Sequence, residues 1–318
     1  MRRVLVTGAS GFVGANLVRR LLRDGHVVHI ALRPTAERWR LEEVLSRVRV
    51  HETDLTDRDG VTAAVLSARP DWIFNLAAHG GYADQVDGRQ ILAANTLGVM
   101  TLLDAGTAVG FEAFVHTGSS SEYGYKEHPA REDDLLEPNS TYAVTKAAAT
   151  HYCQFVARSR YVNAVVLRLY SVFGPYERPT RFIPTVIVRG LEGRLPPLVD
   201  PDTTRDFVHV DDTVEALILA ASKKGLPRGT VLNVCSGVKT SVRDVVTVAK
   251  ALLPIPQEPD WSSMPARPWD TKTWVGDPRG VWERLGWEPI SSFRDGFAAT
   301  LRWLRDDPRW LTFYRASL

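Results

Sequence analysis

Tyr142 and Lys146 lie four apart in Ser140-Thr141-Tyr142-Ala143-Val144-Thr145-Lys146, a stretch that reads as the opening of a helix. At that spacing the two side chains share one helical face. An ammonium near a phenol favours the phenolate, so the pair predicts a lowered tyrosine pKa. Upstream, the run from Phe114 to Gly124 reads as a strand with a hydroxyl-rich exit, Ser119-Ser120-Ser121. A serine hydroxyl across the cleft can hold a substrate oxygen. Together Ser119, Tyr142 and Lys146, with Ser120 beside them, can move a proton to or from a carbinol while hydride moves to or from a nicotinamide. Tyr-x-x-x-Lys alone is a common accident. Its weight here comes from the elements that precede it.

The first of these is Val4-Leu5-Val6-Thr7-Gly8-Ala9-Ser10-Gly11-Phe12-Val13-Gly14. It reads as a buried strand, a glycine-rich turn and a helix starting at the last glycine. Apolar residues then recur at Leu17, Val18, Leu21 and Leu22, Gly25 ends the helix, and His26 to Ile30 reads as a second strand. That context turns a weak glycine pattern into a dinucleotide-binding expectation. Gly8 lets the chain turn sharply, Gly11 lets a diphosphate approach, and Gly14 lets the helix pack closely on the strand. The backbone of Ser10, Phe12 and Val13 then borders the phosphates at the positive end of the helix.

Coenzyme choice is read at the end of the second strand, where NAD-type sites usually place an acid. Here Leu32 stands in that place and Arg33 follows, with Arg38 and Arg40 in the next loop. No carboxylate is expected to repel a 2′-phosphate and a guanidinium can pair with it, which favours NADP(H) and leaves NAD possible. The third strand closes on Asp54-Leu55, where the aspartate either faces an adenine amino group or caps a helix starting near Asp57. A fourth strand runs into Leu76-Ala77-Ala78, small residues that leave room for a ligand at the sheet crevice. His79 follows in a loop, as an acid, a base or a hydrogen-bonded bystander. A long helix is expected from Ile91 to Val109, with Asn95 inside it bonded to the neighbouring strand's backbone.

Bulk properties restrict the alternatives. The 318 residues can bury a large core in two lobes. A formal net charge of +2 gives no case for nucleic acid or a membrane surface, and no apolar run reads as long enough to span a bilayer. Cys153 and Cys235 are far apart in sequence, which suits core filling and a reducing cytoplasm. No His, Cys and Asp cluster has metal-ligand spacing. Asp211 and Asp212 read as a helix start. Seven of the nine tryptophans lie at or beyond Trp261, and five prolines between Pro254 and Pro268 predict a loop over the cleft. A helix from Phe293 to Leu304 is expected to close the chain.

In their order, TGASGFVG, Asp54-Leu55, Asn75-Leu76-Ala77-Ala78, GSSSEYG, YAVTK, LRLYSVFGP and RDFVHVDD resemble the extended short-chain dehydrogenase/reductases, the nucleotide-sugar epimerase/dehydratase/reductase family. The match spans nearly the whole chain. It implies an α/β, Rossmann-type doubly wound parallel sheet with a smaller C-terminal substrate lobe. Residues 1–173 would bind the dinucleotide, 205–238 would return to that unit, and 174–204 with 239–318 would form the nucleotide-sugar lobe. It also implies Ser119, Tyr142 and Lys146 as the catalytic set. Arg205 and Arg267 would meet the nucleotide diphosphate, with His79, Ser121 and Arg181 on the substrate. Dehydratases of the family carry an acid pair, or a glutamate, just after the serine or threonine. Those positions are Ser120 and Ser121 here, with Glu122 one residue late. An asparagine common in the family is replaced by Ser171.

The expected activity is redox chemistry at C4 of a nucleotide-linked sugar. NADPH-dependent reduction of a 4-keto sugar leads, and 4-epimerisation with a retained coenzyme is the alternative. A 4,6-dehydratase and a non-catalytic coenzyme sensor on the same fold stay open. Many relatives pair through two helices, so a homodimer through Ile91–Val109 and Tyr142–Arg158 is expected.

Overall fold

A computed structural model describes residues 1–82, 84–264 and 272–318. The elements, in chain order, are β1 (Arg3–Thr7), α1 (Phe12–Arg23), β2 (Val27–Leu32), β3 (Arg49–Glu52), α2 (Arg58–Ala68), β4 (Trp72–Asn75), α3 (Gly88–Leu92), α4 (Gly98–Val109), β5 (Ala113–Ser119), α5 (Thr141–Ser159), β6 (Ala164–Leu169), β7 (Ser171–Phe173), α6 (Phe182–Leu191), β8 (Thr204–Arg205), β9 (Phe207–His209), α7 (Val210–Ser222), β10 (Val231–Val234), β11 (Thr240–Ser241), α8 (Val242–Leu252), β12 (Thr273–Trp274), α9 (Arg279–Leu285), α10 (Phe293–Asp306) and α11 (Pro308–Ala316).

Seven strands form one sheet in the order β10-β6-β5-β4-β1-β2-β3, each pair parallel. The order reverses at β1, so the crevice opens beyond the carboxyl ends of β1 and β4. The inner strands β1, β2, β4, β5 and β6 read as near-continuous apolar runs because both faces are covered, whereas β3 at the edge is largely exposed. Val4, Val6, Ile30 and Phe74 pack under α1 and α7; Leu5, Ile73 and Phe114 pack under α2, α4 and α5. A separate core joins α6, α8, α10 and α11 around Ile183, Val245, Phe297 and Tyr314. The doubly wound expectation holds.

Several local expectations change. Helix α1 starts at Phe12 with Gly11 as its N-cap residue, so Gly14 lies inside the first turn. The return segment divides: β8 joins β11 and β12 in a small sheet, β9 pairs with β7, and α7 begins at Val210. The long helix begins earlier, at Gly88, and α3 and α4 are joined by a π-helical turn over Ala93–Leu97. Taken as one 22-residue run, with an 18-residue window of mean hydropathy 1.3, it is long and apolar enough to cross a bilayer by length and composition. In the fold, Val99, Leu102 and Leu103 are core residues of the sheet's α2 side. The chain closes with α11, not α10. Asp307 caps it and Pro308 occupies its first turn, a start signal that the sequence carries.

Candidate active site

The glycine turn is built by close approach. Gly8 has φ +68°, and a Cβ there would lie 2.5 Å from the backbone of Leu76 and Ala77. A Cβ on Gly14 would lie 2.1 Å from the Gly8 carbonyl oxygen. Gly11 is less constrained sterically, its Cβ meeting that same oxygen at 3.1 Å. No side chain caps α1 and its first turn carries no acid. Its leading amides are therefore a cradle for an anion. Ser10, Phe12 and Val13 border that cradle as expected. A dinucleotide fits this donor set.

At the β2 end, Leu32 is buried and Arg33 is exposed, with no ion pair among the described residues. One correction belongs here. Glu52 pairs in register with Leu32, so a carboxylate does stand nearby; Arg38 holds it at 2.6 Å. Asp54 does not cap α2. Asp57 does, accepting from Gly60 N, while Asp54 accepts from Thr56 N and its hydroxyl at 2.9 and 2.8 Å. Leu55 is core, packed so tightly that a Cβ on Gly98 would lie 2.8 Å from it.

Asn95 lies in the π-helical turn and is fully buried. Its amide accepts from His79 N at 2.7 Å and donates to His79 O at 2.8 Å and to the Thr145 hydroxyl at 3.1 Å. Its partner is the loop after β4 and not the strand itself. The extra residue in the turn turns Asn95 inward. It thereby fixes His79 by its backbone and α5 by Thr145. Leu76, Ala77 and Ala78 form the floor at the β4 exit, closed by the bond from Leu76 N to Thr7 O.

Beyond β5 the serines form a 3-10 turn over Ser120–Tyr123 capped by Ser119. The Ser119 and Ser121 hydroxyls are 2.6 Å apart, and the Ser119 side chain is a neighbour that favours the Tyr142 phenolate. Ser120 is half-buried at the head of the turn. Glu122 lies under it, fully buried. It accepts from Ser119 N at 2.8 Å and the Thr150 hydroxyl at 2.9 Å, and it pairs with Arg168 at 2.8 Å. Arg168 donates to the Tyr123 hydroxyl, which donates to Asn233. Sequence reading missed this network, although a strand arginine four residues after Ala164 was a visible signal of a buried partner.

Burial raises Tyr142 to about 12, against the pull of the Ser119 side chain and of Arg181. Lys146 is 1% exposed, its ammonium donates to the Thr117 carbonyl, and burial lowers it to about 8. The expected lowering of the phenol by Lys146 is therefore overturned: desolvation dominates, and the ammonium's bond goes to the strand. The two residues do share one face of α5.

Arg181 is the N-cap residue of α6, and its Nε lies 3.8 Å from the buried carboxyl of Glu177. Burial raises Glu177 to about 8. Arg205 sits in β8, donating to the Thr204 carbonyl at 2.7 Å and facing the Trp274 ring at 5.8 Å. Next to it, buried Asp206 accepts from Ser236 N and hydroxyl at 2.7 Å and from Gly237 N at 2.9 Å, a hub that sequence reading missed. Ser171 N bonds to the Asp206 carbonyl. Arg267, Pro265 and Pro268 lie outside the described residues. Among the described residues no His, Cys, Asp and Glu group could hold a metal.

Comparison with known proteins meets this geometry. The chain is 32% identical over 315 residues to a UDP-glucose 4-epimerase of Mycolicibacterium smegmatis, covering 96% of this chain and 99% of that one. It is 30% identical over 321 residues to a dTDP-glucose 4,6-dehydratase of Mycobacterium tuberculosis, covering 97% and 95%. A solved UDP-glucose 4-epimerase of Thermus thermophilus in complex with NAD superposes with a TM-score of 0.84 at 30% identity, covering 95% and 99%. Residues 4–235 match the pattern of a single family, and on these grounds the chain belongs to the NAD dependent epimerase/dehydratase family.

Proposed function

We propose that the protein carries out redox chemistry at C4 of a nucleotide-linked hexose, with 4-epimerisation as its outcome. The observation that carries this reading is the placement of Tyr142 and Lys146 one turn apart on α5, beside the paired Ser119 and Ser121 hydroxyls at the carboxyl end of β5. Bound over the glycine turn, a nicotinamide coenzyme would supply a hydride acceptor and donor. Ser119 would hold the sugar oxygen. Tyr142 Oη would take or return that oxygen's proton, and Ser121 would fix the Ser119 hydroxyl. The neutral phenol, held high by burial, is the form that gives a proton back. Taking one calls for a lower pKa, which the Ser119 side chain and Arg181 favour. Glu122 argues against a dehydratase: both of its oxygens are engaged below the turn.

The epimerase outcome rests on whole-length similarity to UDP-glucose 4-epimerases. NADPH-dependent reduction of a 4-keto sugar is the second reading, favoured by Leu32 and the exposed Arg33 at the β2 end. Two buried, unpaired cysteines support a reducing cytoplasm. Exposed Leu92, Leu97, Val144 and Phe155 support pairing of two copies through α3, α4 and α5. The test is stoichiometric. Epimerisation predicts coenzyme released from the denatured protein and turnover of a UDP-hexose with none added. Consumption of one NADPH per product, with no coenzyme retained, would assign the reductase instead.

A further inference from the structure

We propose that Arg40 is a phosphate-binding residue, whose guanidinium holds a phosphate of the coenzyme beside the glycine turn and ties that site to the segment carrying Arg178 and Arg181.

Arg40 is 8% exposed, and no carboxylate lies within ion-pair distance of it among the described residues. Its Nε donates to the Tyr176 carbonyl at 2.7 Å and its Nη1 to the Ser10 carbonyl at 3.3 Å. The guanidinium lies over the Trp39 ring, 4.0 Å from its centroid. Nη2 has no partner among the described residues, yet it is not sealed inside the core. The nearby acids act only at a distance: Glu37 is exposed, and Glu177 forms no ion pair with Arg40, its nearest cation being Arg181 at 3.8 Å.

The other deeply buried guanidinium, Arg168, shows what such a charge ordinarily requires: a carboxylate at 2.8 Å. A buried cation left without one is strongly unfavourable, so a site that keeps it is adapted to an anion that arrives from outside. Ser10, which Arg40 touches, belongs to the turn that leads into α1. That helix of 12 residues has no side-chain cap. An uncapped helix start and a guanidinium without a carboxylate thus flank the same turn, and both select a phosphoryl group. The diphosphate of either coenzyme supplies that chemistry; so does the 2′-phosphate of NADP(H).

The Tyr176 carbonyl adds a consequence. The segment from Gly174 to Arg181 is held by Arg40, by Asn16 on the Pro175 carbonyl at 3.0 Å and by the Tyr314 hydroxyl on the Glu177 carbonyl. Arg40 is the member of this set that also touches the glycine turn.

The inference rests on the coenzyme-dependent reading above. The experiment measures Kd for NAD⁺ and NADP⁺ by titration calorimetry at low and high KCl, in wild type, Arg40→Gln and Arg40→Lys. Gln keeps a donor for the Tyr176 carbonyl and removes the charge. We expect Arg40→Gln to weaken binding about 10- to 100-fold and to flatten its salt dependence. Equal weakening of both coenzymes identifies the diphosphate, and weakening of NADP⁺ alone identifies the 2′-phosphate. Arg40→Lys should retain the salt dependence. A folded Arg40→Gln with wild-type Kd for both coenzymes would overturn the inference, and so would an Arg40→Lys protein whose binding no longer responds to salt. Wild-type protein that binds neither coenzyme would instead overturn the functional reading itself.

Discussion

The carboxyl edge of β5 and the carboxyl edge of β2 serve the same crevice and are built in opposite ways. At β5 the hydroxyls proposed to react stand on a buried polar network. Glu122 is shared by Ser119 N, Thr150 and Arg168, and Arg168 continues through Tyr123 to Asn233. Asn95 clamps the adjoining loop from a π-helical turn. At β2, beyond the buried Leu32, Arg33 is exposed, and among the described residues Glu52 is answered only by Arg38 across a surface ion pair. Buried networks hold one geometry because leaving any member unpaired is costly. Exposed charges hold none and are screened by salt. On the proposed reading the reacting groups are therefore held by the fold, while Arg33 at the β2 end would act on coenzyme preference from the surface.

The sharpest way to break that contrast is at the phenol. Tyr142→Phe should lower turnover by about 10³-fold while leaving coenzyme Kd within a factor of two, since proton transfer is lost and the cradle is untouched. Kinetics with calorimetry checks it, and undiminished turnover would remove Tyr142 from the mechanism.

Next is the network. Glu122→Gln leaves Arg168 buried beside a neutral amide, and should cost about 3 to 5 kcal/mol of unfolding free energy in urea. An equal loss from Arg33→Ala would erase the difference between the two edges; we expect less than about 0.5 kcal/mol there.

A third prediction concerns pH. Glu177 has a raised folded pKa of about 8 against an ordinary 4.5. Between those values the folded state keeps a proton that the unfolded state has released. Its contribution to stability is therefore whole below about pH 4.5 and fades as pH rises to 8, by at most about 5 kcal/mol. Glu177→Gln should flatten the wild-type decline over that window, measured by urea unfolding at a series of pH values. An identical pH profile would mean that the carboxyl ionises normally.

The smallest expected effect is at the open edge. Arg33→Glu should shift the ratio of NADP⁺ to NAD⁺ affinity toward NAD⁺ by about tenfold, with little change in stability. No shift at all would leave Arg33 as a solvated loop residue.

This contrast also explains what could be read from the chain beforehand. Strand, glycine turn and helix were legible because Gly8 and Gly14 answer steric demands that no other residue meets. Ser119, Tyr142 and Lys146 were singled out by order and spacing, and the fold places Tyr142 and Lys146 on one face of α5 and Ser119 at the end of β5. The phenol's pKa was not, because spacing on a helix says nothing of where an ammonium finds its hydrogen bond; Lys146 finds it on Thr117. Glu122 read as a displaced catalytic acid because its partners lie 28 and 46 residues away in Thr150 and Arg168. Arg40 was passed over in favour of Arg33, since burial cannot be read from an arginine in a polar loop. Helix α11 was missed although Asp307-Pro308 announced it, and its Tyr314 reaches the carbonyl of Glu177.

The most direct test follows the hydrogen itself. Nucleotide hexoses carrying deuterium at C4 are mixed with the protein and NAD⁺ or NADP⁺ in a single-turnover quench, and the coenzyme is recovered for mass spectrometry. The account predicts deuterium on the reduced coenzyme for at least one sugar, with none in Tyr142→Phe. Product formed while the deuterium stays on the sugar throughout, or passes to water, would contradict it.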